Sequence, residues 1–348
     1  MPGPLLRIAT FNAALEASAF CKKSDQALDP ESLAKAIAAK HHPRLHQVAN
    51  VIKALRPDIL LLNEFDWIAE PRLGIEGFCH HYLESGVNPL QYPWYFVGES
   101  NTGQPIPGFS GECFGFGAYP GQYGMALLSR YPIEQAHCRT FQHFRWAKMP
   151  GAMRPMLGEA DFYPQKLWEM LRLSSKSHWD LRVDVQGKPL HLLASHPTPP
   201  VFDGPEKANQ KRNFDEIRFW ADYLSPGLGD HIEDDSGVKG GLVGEAPFVV
   251  LGDLNADPDC GDSHPGAIDQ LLSHPLIDSR HIPISQAGLR RGHGAMTADW
   301  GLRADYVLPS KRGIKVRDSG VYWPEAGEGG RQVAVSDHRP VWLDVELI

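Results

Sequence analysis

Cysteine is scarce in this chain and absent from the spacings that carry chemistry. Cys21, Cys79, Cys113, Cys138 and Cys260 lie far apart with no CxxC pair, which argues against a zinc ribbon or a thioredoxin-like dithiol. An odd count leaves at least one thiol unpaired. Cys79 and Cys113 flank a loop-rich stretch and form the one pair that an oxidising compartment could bridge. No apolar run approaches the ~20 residues of a membrane span. The opening MPGPLLRIATFN lacks the basic segment, apolar run and small-residue cleavage site of a secretory leader. As written the chain reads as cytoplasmic, or as secreted if a signal has been removed. Positive charge is also in short supply. Lys and Arg number 34 against 42 Asp and Glu, a formal charge of −8, so nucleic acid is a possible but disfavoured partner, because phosphate-tracking surfaces rest on clustered Lys and Arg. Repeats and low-complexity tracts are missing too. What remains, 42% hydrophobic and 22% charged over 348 residues, is the composition of a globular chain able to bury a sizeable core.

The polar residues of interest sit at the ends of apolar runs. Leu5 to Phe11 reads as a strand that hands over to Asn12, where a turn-forming role is the simpler account of that residue alone. Leu45, Val48, Ile52 and Leu55 recur at helical spacing before Pro57, which predicts a helix over 44–55. Asp58 to Leu62 is then a buried strand ending in Asn63 and Glu64. From Asp66 to Gln122 periodicity gives way to Gly, Pro and aromatics, expected to form a loop-rich rim over a pocket. Gly124 to Arg130 is a strand stopped by Pro132. Arg145, Lys148 and Arg154 lie among aromatics, as either a solvated basic loop or an anion-binding lip. A hairpin of His178–Val185 and Leu190–Ser195 delivers His196 into HPTPP. The helix expected over 206–224 carries Lys207, Lys211 and Arg212 in its early turns, where the helix dipole also favours an anion; a solvated basic face is the alternative. Pro247 to Leu251 is a short buried strand ending in Gly252-Asp253-Leu254-Asn255. Gly266 to Leu272 is a short helix, and Arg303 to Leu308 a strand with Asp305 embedded in it. Val333 to His338 leads into a last strand over Val341–Leu347.

Asn12, Glu64, His196, Asp253, Asn255, Asp305, Asp337 and His338 therefore all stand at strand boundaries. In layered α/β proteins neighbouring strand ends converge on one rim. A carboxylate and amide set without cysteine suits a hard ion such as Mg²⁺ or Mn²⁺. With a histidine and acidic partners to manage the proton, the expected chemistry is metal-assisted phosphoester hydrolysis.

The ordered segments ATFN, LLNE, GMALLSRYPI, ASHPTPP, VVLGDLNADP, RADYVLPS and SDHRPV resemble those of the endonuclease/exonuclease/phosphatase superfamily, which includes DNase I, apurinic endonucleases, neutral sphingomyelinases and inositol-polyphosphate 5-phosphatases. The resemblance runs from about Ile8 to Val345. It implies a four-layer α/β sandwich of two packed, mostly antiparallel sheets flanked by helices, hence one domain over 1–348 with a loop-rich insertion around 66–122. By the same resemblance Glu64 is the main metal ligand, with Asn12 assisting and Asp337 beside the metal. Asp253 positions or deprotonates the attacking water, Asn255 holds the water or the phosphoryl group, and His196 stabilises phosphoryl oxygens or protonates the leaving group. Asp305 orients His338. The position where relatives often carry a catalytic Glu or Tyr falls on Gln122, which cannot act as an acid, so either Tyr123 takes the part or the proton on His196 is managed differently. Tyr123, Lys211, Arg212 and Arg145 are the expected substrate contacts. The favoured substrate is small or lipid-derived; the alternatives are a nuclease and, from another class, a binding module without turnover.

Overall fold

The computed structural model describes residues 4–21, 27–324 and 335–348. Two sheets carry the structure. One has six strands, β1 (Leu5–Leu15), β2 (Ile59–Phe65), β3 (Trp94–Val97), β4 (Met125–Ser129), β10 (Ile314–Val321) and β11 (Val341–Leu347), in the order β10-β11-β1-β2-β4-β3. The other has five, β5 (Arg139–Thr140), β6 (His178–Val185), β7 (Lys188–Ser195), β8 (Phe248–Asp253) and β9 (Asp305–Pro309), in the order β9-β8-β7-β6-β5. Only the β1–β2 and β7–β8 pairs within these sheets are parallel. The expected four-layer sandwich is what forms.

Side-chain alternation explains why these strands read as continuous apolar runs instead of half-polar ones. In β2, Leu60 and Leu62 face one core with Leu45, Val48 and Ile52, while Ile59 and Leu61 face the other sheet. Likewise in β8, Phe248 and Val250 face Trp220 and Tyr223, and Val249 and Leu251 turn inward to the inter-sheet core. The outer layers are helices. α1 (Ser32–Ala38) and α2 (Pro43–Leu55) cover the first sheet, and α3 (Ala208–Leu224) covers the second. α2 starts on Pro43 and ends where Arg56 turns left-handed ahead of Pro57.

Several expectations shift. β1 runs four residues further than Phe11, so Asn12 lies inside the strand, beside a register irregularity between Asn12 and Leu15. The loop-rich stretch holds β3 and helical turns at Ile75–Phe78 and Cys79–Leu83. α1 and β10 carry no clear period in sequence: IKVRDSGV alternates poorly because β10 is an edge strand with one side in water. Positions 333 and 334 of the expected approach to His338 lie outside the described residues. All five cysteines are free thiols, and Cys79 is buried in the α2-side core. No helix among the described residues is long and apolar enough to cross a membrane.

The parallel pairs place four carboxyl ends, those of β1, β2, β7 and β8, on one rim. β9 runs antiparallel to β8 and starts there, with Asp305 opposite Asp253. At Gly252, φ is +146° and a Cβ would stand 1.9 Å from the Ser195 carbonyl oxygen. Gly252→Ala is expected to cost about 3 kcal/mol or more in denaturant unfolding, since neither backbone can move without opening the sheet.

Beneath α3, His178 is sealed in the core. Its Nδ1 accepts from Ser174 Oγ and its Nε2 donates to the Glu216 carbonyl. Burial holds the imidazole down at about 4 against an ordinary 6.5. The unfolded chain takes up this proton first, so stability is complete above about pH 6.5 and falls as the pH drops toward 4, by about 3 kcal/mol for this group. Urea unfolding at pH 7 and 4.5 should show that loss, with a shallower pH dependence in His178→Gln.

Candidate active site

Asp253 is the centre of the rim. Its Oδ2 accepts from Asn12 Nδ2 at 3.0 Å and lies 3.5 Å from Nε2 of both His196 and His338. Its Oδ1 accepts from the Asn255 backbone N–H at 3.0 Å, and its own N–H donates to Asn63 Oδ1 at 3.2 Å. Asn12 and Asn63 belong to the first sheet and Asp253 to the second, so these bonds tie the two sheets together at the rim. Asn63 also accepts from Thr10 Oγ1. Asn255, in a left-handed conformation at φ 52°, donates its Nδ2 to the Pro197 carbonyl and so fixes the turn after His196. Buried Asn213 of α3 donates to the carbonyls of Thr198 and Leu254, clamping the same two loops from behind.

His338 donates from Nδ1 to Asp305 Oδ2 at 2.8 Å. That oxygen also accepts from Thr297 Oγ1 at 2.7 Å, and the Thr297 hydroxyl accepts from the N–H groups of Ala304 and Asp305. Burial pulls His338 down, but the carboxylates of Asp305 and Asp253 outweigh it and raise it to about 10. Burial raises Asp253 above the usual carboxylate range against the opposing charge of His338. His196 is the reverse case. Burial first, then the positive charges of Lys176 and His338, drive it well below its ordinary value, and neither ring nitrogen has a hydrogen-bond partner among the described residues. One imidazole is charged and one is neutral, on either side of one carboxylate.

Glu64, Asp253, Asn255, Asp337 and His338 line a cleft of ≈ 470 Å³. Glu64 is left-handed at φ 56°, which turns it out of β2 toward this cleft. Burial raises its carboxyl, offset by the Asn12 amide and the charges of His338 and Lys176. Asp337 is exposed at the lip. Tyr123, also left-handed, has its hydroxyl raised to about 12 by burial and by the charges of Glu16, Glu64 and Asp66, and it is not among the residues that line the cleft. Two donor sets could take a cation. Glu64, Asn12 and Asp337 offer oxygen alone, as a hard ion requires. Asp253, Asp305 and His338 bring ligand atoms within 4.8 Å of one another, but there the histidine proton already bridges to Asp305 and Thr297 fills the same oxygen, so this trio is built to hold a proton.

The remaining expected contacts are elsewhere. Arg212 donates to the carbonyls of Leu173, Phe114 and Arg172; its guanidinium is spent pinning the rim, which replaces the expected substrate role. The amino end of α3 is capped by Asp203, which accepts from the N–H groups of Asn209 and Gln210. The anion expected there is a protein carboxylate. Lys211 and Arg145 do not line the cleft; Arg145 borders another groove with Trp67, Phe114 and Arg172. Gln122 is structural. Its Oε1 accepts from the Ala118 N–H and its Nε2 donates to Glu16 Oε2, fastening the rim to the loop after β1.

Sequence reading missed Thr297 and Asn213, and saw Asn63 only as the amide at a strand end. The TADW stretch holding Thr297 was legible only as a loop. In three dimensions it pairs with the SDHR segment: Arg339 N–H donates to the Thr297 carbonyl, Asp299 N–H to the Asp337 carbonyl, and the Trp300 ring meets His338 edge-on at 4.9 Å.

A family model described as Endonuclease/Exonuclease/phosphatase family matches residues 9–338. The chain belongs to that family. Its members are hydrolases of phosphoesters and characteristically bind divalent metal. Among solved structures, an endonuclease/exonuclease/phosphatase from Beutenbergia cavernae is similar with TM-score 0.52 and 19% identity, over 99% of this chain and 72% of that one. The human Nocturnin catalytic domain with bound sulfate is similar with TM-score 0.50 and 17% identity, over 99% and 96%. A Staphylococcus aureus beta toxin with bound magnesium ions gives 0.50 and 11%, over 98% and 99%. At these identities the likeness is one of fold. No curated protein matches the sequence.

Because Thr297 satisfies both Asp305 and two backbone donors, Thr297→Val should cost about 1–3 kcal/mol in urea unfolding. It should also lower turnover more than a cleft-wall change such as Leu302→Val, since it frees Asp305 and with it His338.

Proposed function

We propose that this chain is a divalent-metal-dependent phosphoester hydrolase, a phosphodiesterase or phosphatase acting on a small or lipid-derived substrate. The observation that carries the reading is the placing of buried Asp253 between a charged and a neutral imidazole at the floor of a cleft whose lip offers Glu64 and Asp337. Burial makes Asp253 a better base than a free carboxylate, and its Oδ2 is the atom that takes the proton of the attacking water. Asn255 steadies that water or the phosphoryl group. His196, neutral and without a partner, donates from one ring nitrogen to a phosphoryl oxygen. His338, held by Asp305, keeps positive charge where negative charge develops. Glu64, with Asn12 and Asp337, would hold Mg²⁺ or Mn²⁺, which when bound polarises the phosphoryl group.

The cleft walls favour a compact, partly apolar substrate. Pro199, Pro200, Val201, Phe202, Trp300 and Leu302 form them, with Asp257 and Asp262, and among the described residues no Lys or Arg lines the cleft. A nucleic-acid groove needs cations along its length to meet successive phosphates, which is why a polynucleotide ranks second.

With Mg²⁺ or Mn²⁺, the protein should hydrolyse nitrophenyl phosphate or bis-nitrophenyl phosphate. EDTA should abolish this, and Asp253→Ala should lower it by about 10³-fold. Activity that survives both would refute the mechanism. Cleavage of plasmid DNA alone, falling steeply with salt, would move the substrate to nucleic acid.

A further inference from the structure

Arg145 stands outside the cleft, and the groove it borders has a chemistry of its own. That groove measures ≈ 740 Å³ and shares no lining residue with the cleft. Arg145 and Arg172 both line it, and they are direct neighbours across an antiparallel bridge. The flanking bonds run from the Trp146 N–H to the Leu171 carbonyl and from the Leu173 N–H to the Phe144 carbonyl. Arg145 and Arg172 are therefore a non-hydrogen-bonded pair, in which the Cα atoms stand about 4.5 Å apart and both side chains leave the same face. Like charges placed directly opposite each other are destabilising unless an opposite charge meets them.

Among the described residues neither guanidinium has an ion pair. Arg145 is exposed and its side chain makes no hydrogen bond. Arg172 spends only Nη1, on Asn101 Oδ1 at 2.6 Å and Gln104 Oε1 at 3.0 Å. Its Cζ lies 4.0 Å over the Phe114 ring, so a stacked face and two amide acceptors fix the plane and leave Nε and Nη2 to donate elsewhere. Burial lowers this guanidinium from its ordinary value, against the charges of Asp235 and Glu99. Asp235 is already taken, because it accepts from the N–H groups of Gln142 and His143. Glu99 lines the groove with the Gln104 amide 3.4 Å away. One carboxylate thus stands against two guanidiniums, and the apolar wall is Trp67, Phe114, Met170 and three prolines.

The pair is built on the segments that frame the cleft. Asn101, which accepts from Arg172, donates its Nδ2 to the carbonyls of Gln142 and Ser174. Arg212 donates to the carbonyls of Phe114 and Arg172, and Asn213 beside it holds Thr198 in the loop after His196.

We propose that Arg145 and Arg172 form a second phosphate site, in which both guanidiniums grip one phosphate monoester and the apolar part of its carrier lies along Phe114 and Trp67. A phosphate monoester brings about two negative charges and three acceptor oxygens, enough to meet both forks bidentately. The phosphate belongs either to the substrate, as a second one, or to a separate molecule. The site needs no metal and no turnover, so it stands independently of the hydrolase reading.

The test is binding of phenyl phosphate, read by calorimetry in EDTA. The natural chain should bind it, and more tightly than inorganic phosphate because the ring meets the apolar wall. Arg145→Gln and Arg172→Lys should each weaken binding about tenfold or more. Glu99→Gln should tighten it about threefold, since a like charge is removed, and Asp253→Ala should leave it as it is. Arg145→Gln alters an exposed side chain, so its thermal midpoint should match that of the natural chain. Affinity equal in the natural chain and Arg145→Gln, or lost in Asp253→Ala, would overturn the proposal. Turnover with Mg²⁺ separates the two sources. A KM minimum at one length in a series of alkanediol bisphosphates, removed by Arg145→Gln, places the phosphate on the substrate. A change in bis-nitrophenyl phosphate turnover on adding phenyl phosphate, removed by Arg145→Gln, places it on a separate molecule. A chain that binds phenyl phosphate in this way and hydrolyses no phosphoester would sink the hydrolase reading and leave the site standing.

Discussion

The structure depends on burying one carboxylate where two sheets meet. Asp253 ends a strand with apolar side chains on both faces, and a bare carboxylate there would carry a large desolvation cost. It is retained because it accepts from Asn12 and the Asn255 N–H while its own N–H donates to Asn63. These bonds cross from one sheet to the other. The polar cluster that does the proposed chemistry is therefore also the seam of the sandwich at this rim, and its members are held in place by the same contacts that make them reactive.

Around that seam the charges are sorted by what each group touches. His338 keeps its proton because Asp305 and Asp253 face it; His196 stays neutral because burial and two neighbouring cations oppose a further charge. Thr297, Asn213 and Glu216 contact no substrate position, but each satisfies two or more groups on the loops that present the histidines and Asp253. A site of this kind is positioned by its supporting hydrogen bonds, not by the rigidity of loops.

Much of this was legible in the sequence, for identifiable reasons. Strands buried on both faces read as unbroken apolar runs, so β2, β7, β8 and β11 and their terminal polar residues stood out. α2 and α3 had clean periods, and Pro57 marked the end of α2. β10 and β3 did not, because edge strands mix polar and apolar residues and NPLQYPWYFV is crowded with turn formers. The cationic candidates fared worst: Arg212 looked like a substrate contact because sequence cannot show that three carbonyls consume its guanidinium. Asn213 and Thr297 were invisible for the converse reason. Their importance comes from partners 40 or more residues away, or from a loop pairing, and neither leaves a local pattern.

The account stands most directly on where a metal and a phosphate go. Crystals grown with Mn²⁺ and inorganic phosphate, read by the anomalous signal of the metal, would locate both. The account expects Mn²⁺ on the oxygens of Glu64 and Asp337, with the phosphate between His196 and Asn255 and its nearest oxygen facing Asp253. Mn²⁺ seated on Asp305 and His338, or a phosphate bound only at the Arg145 groove, would contradict it.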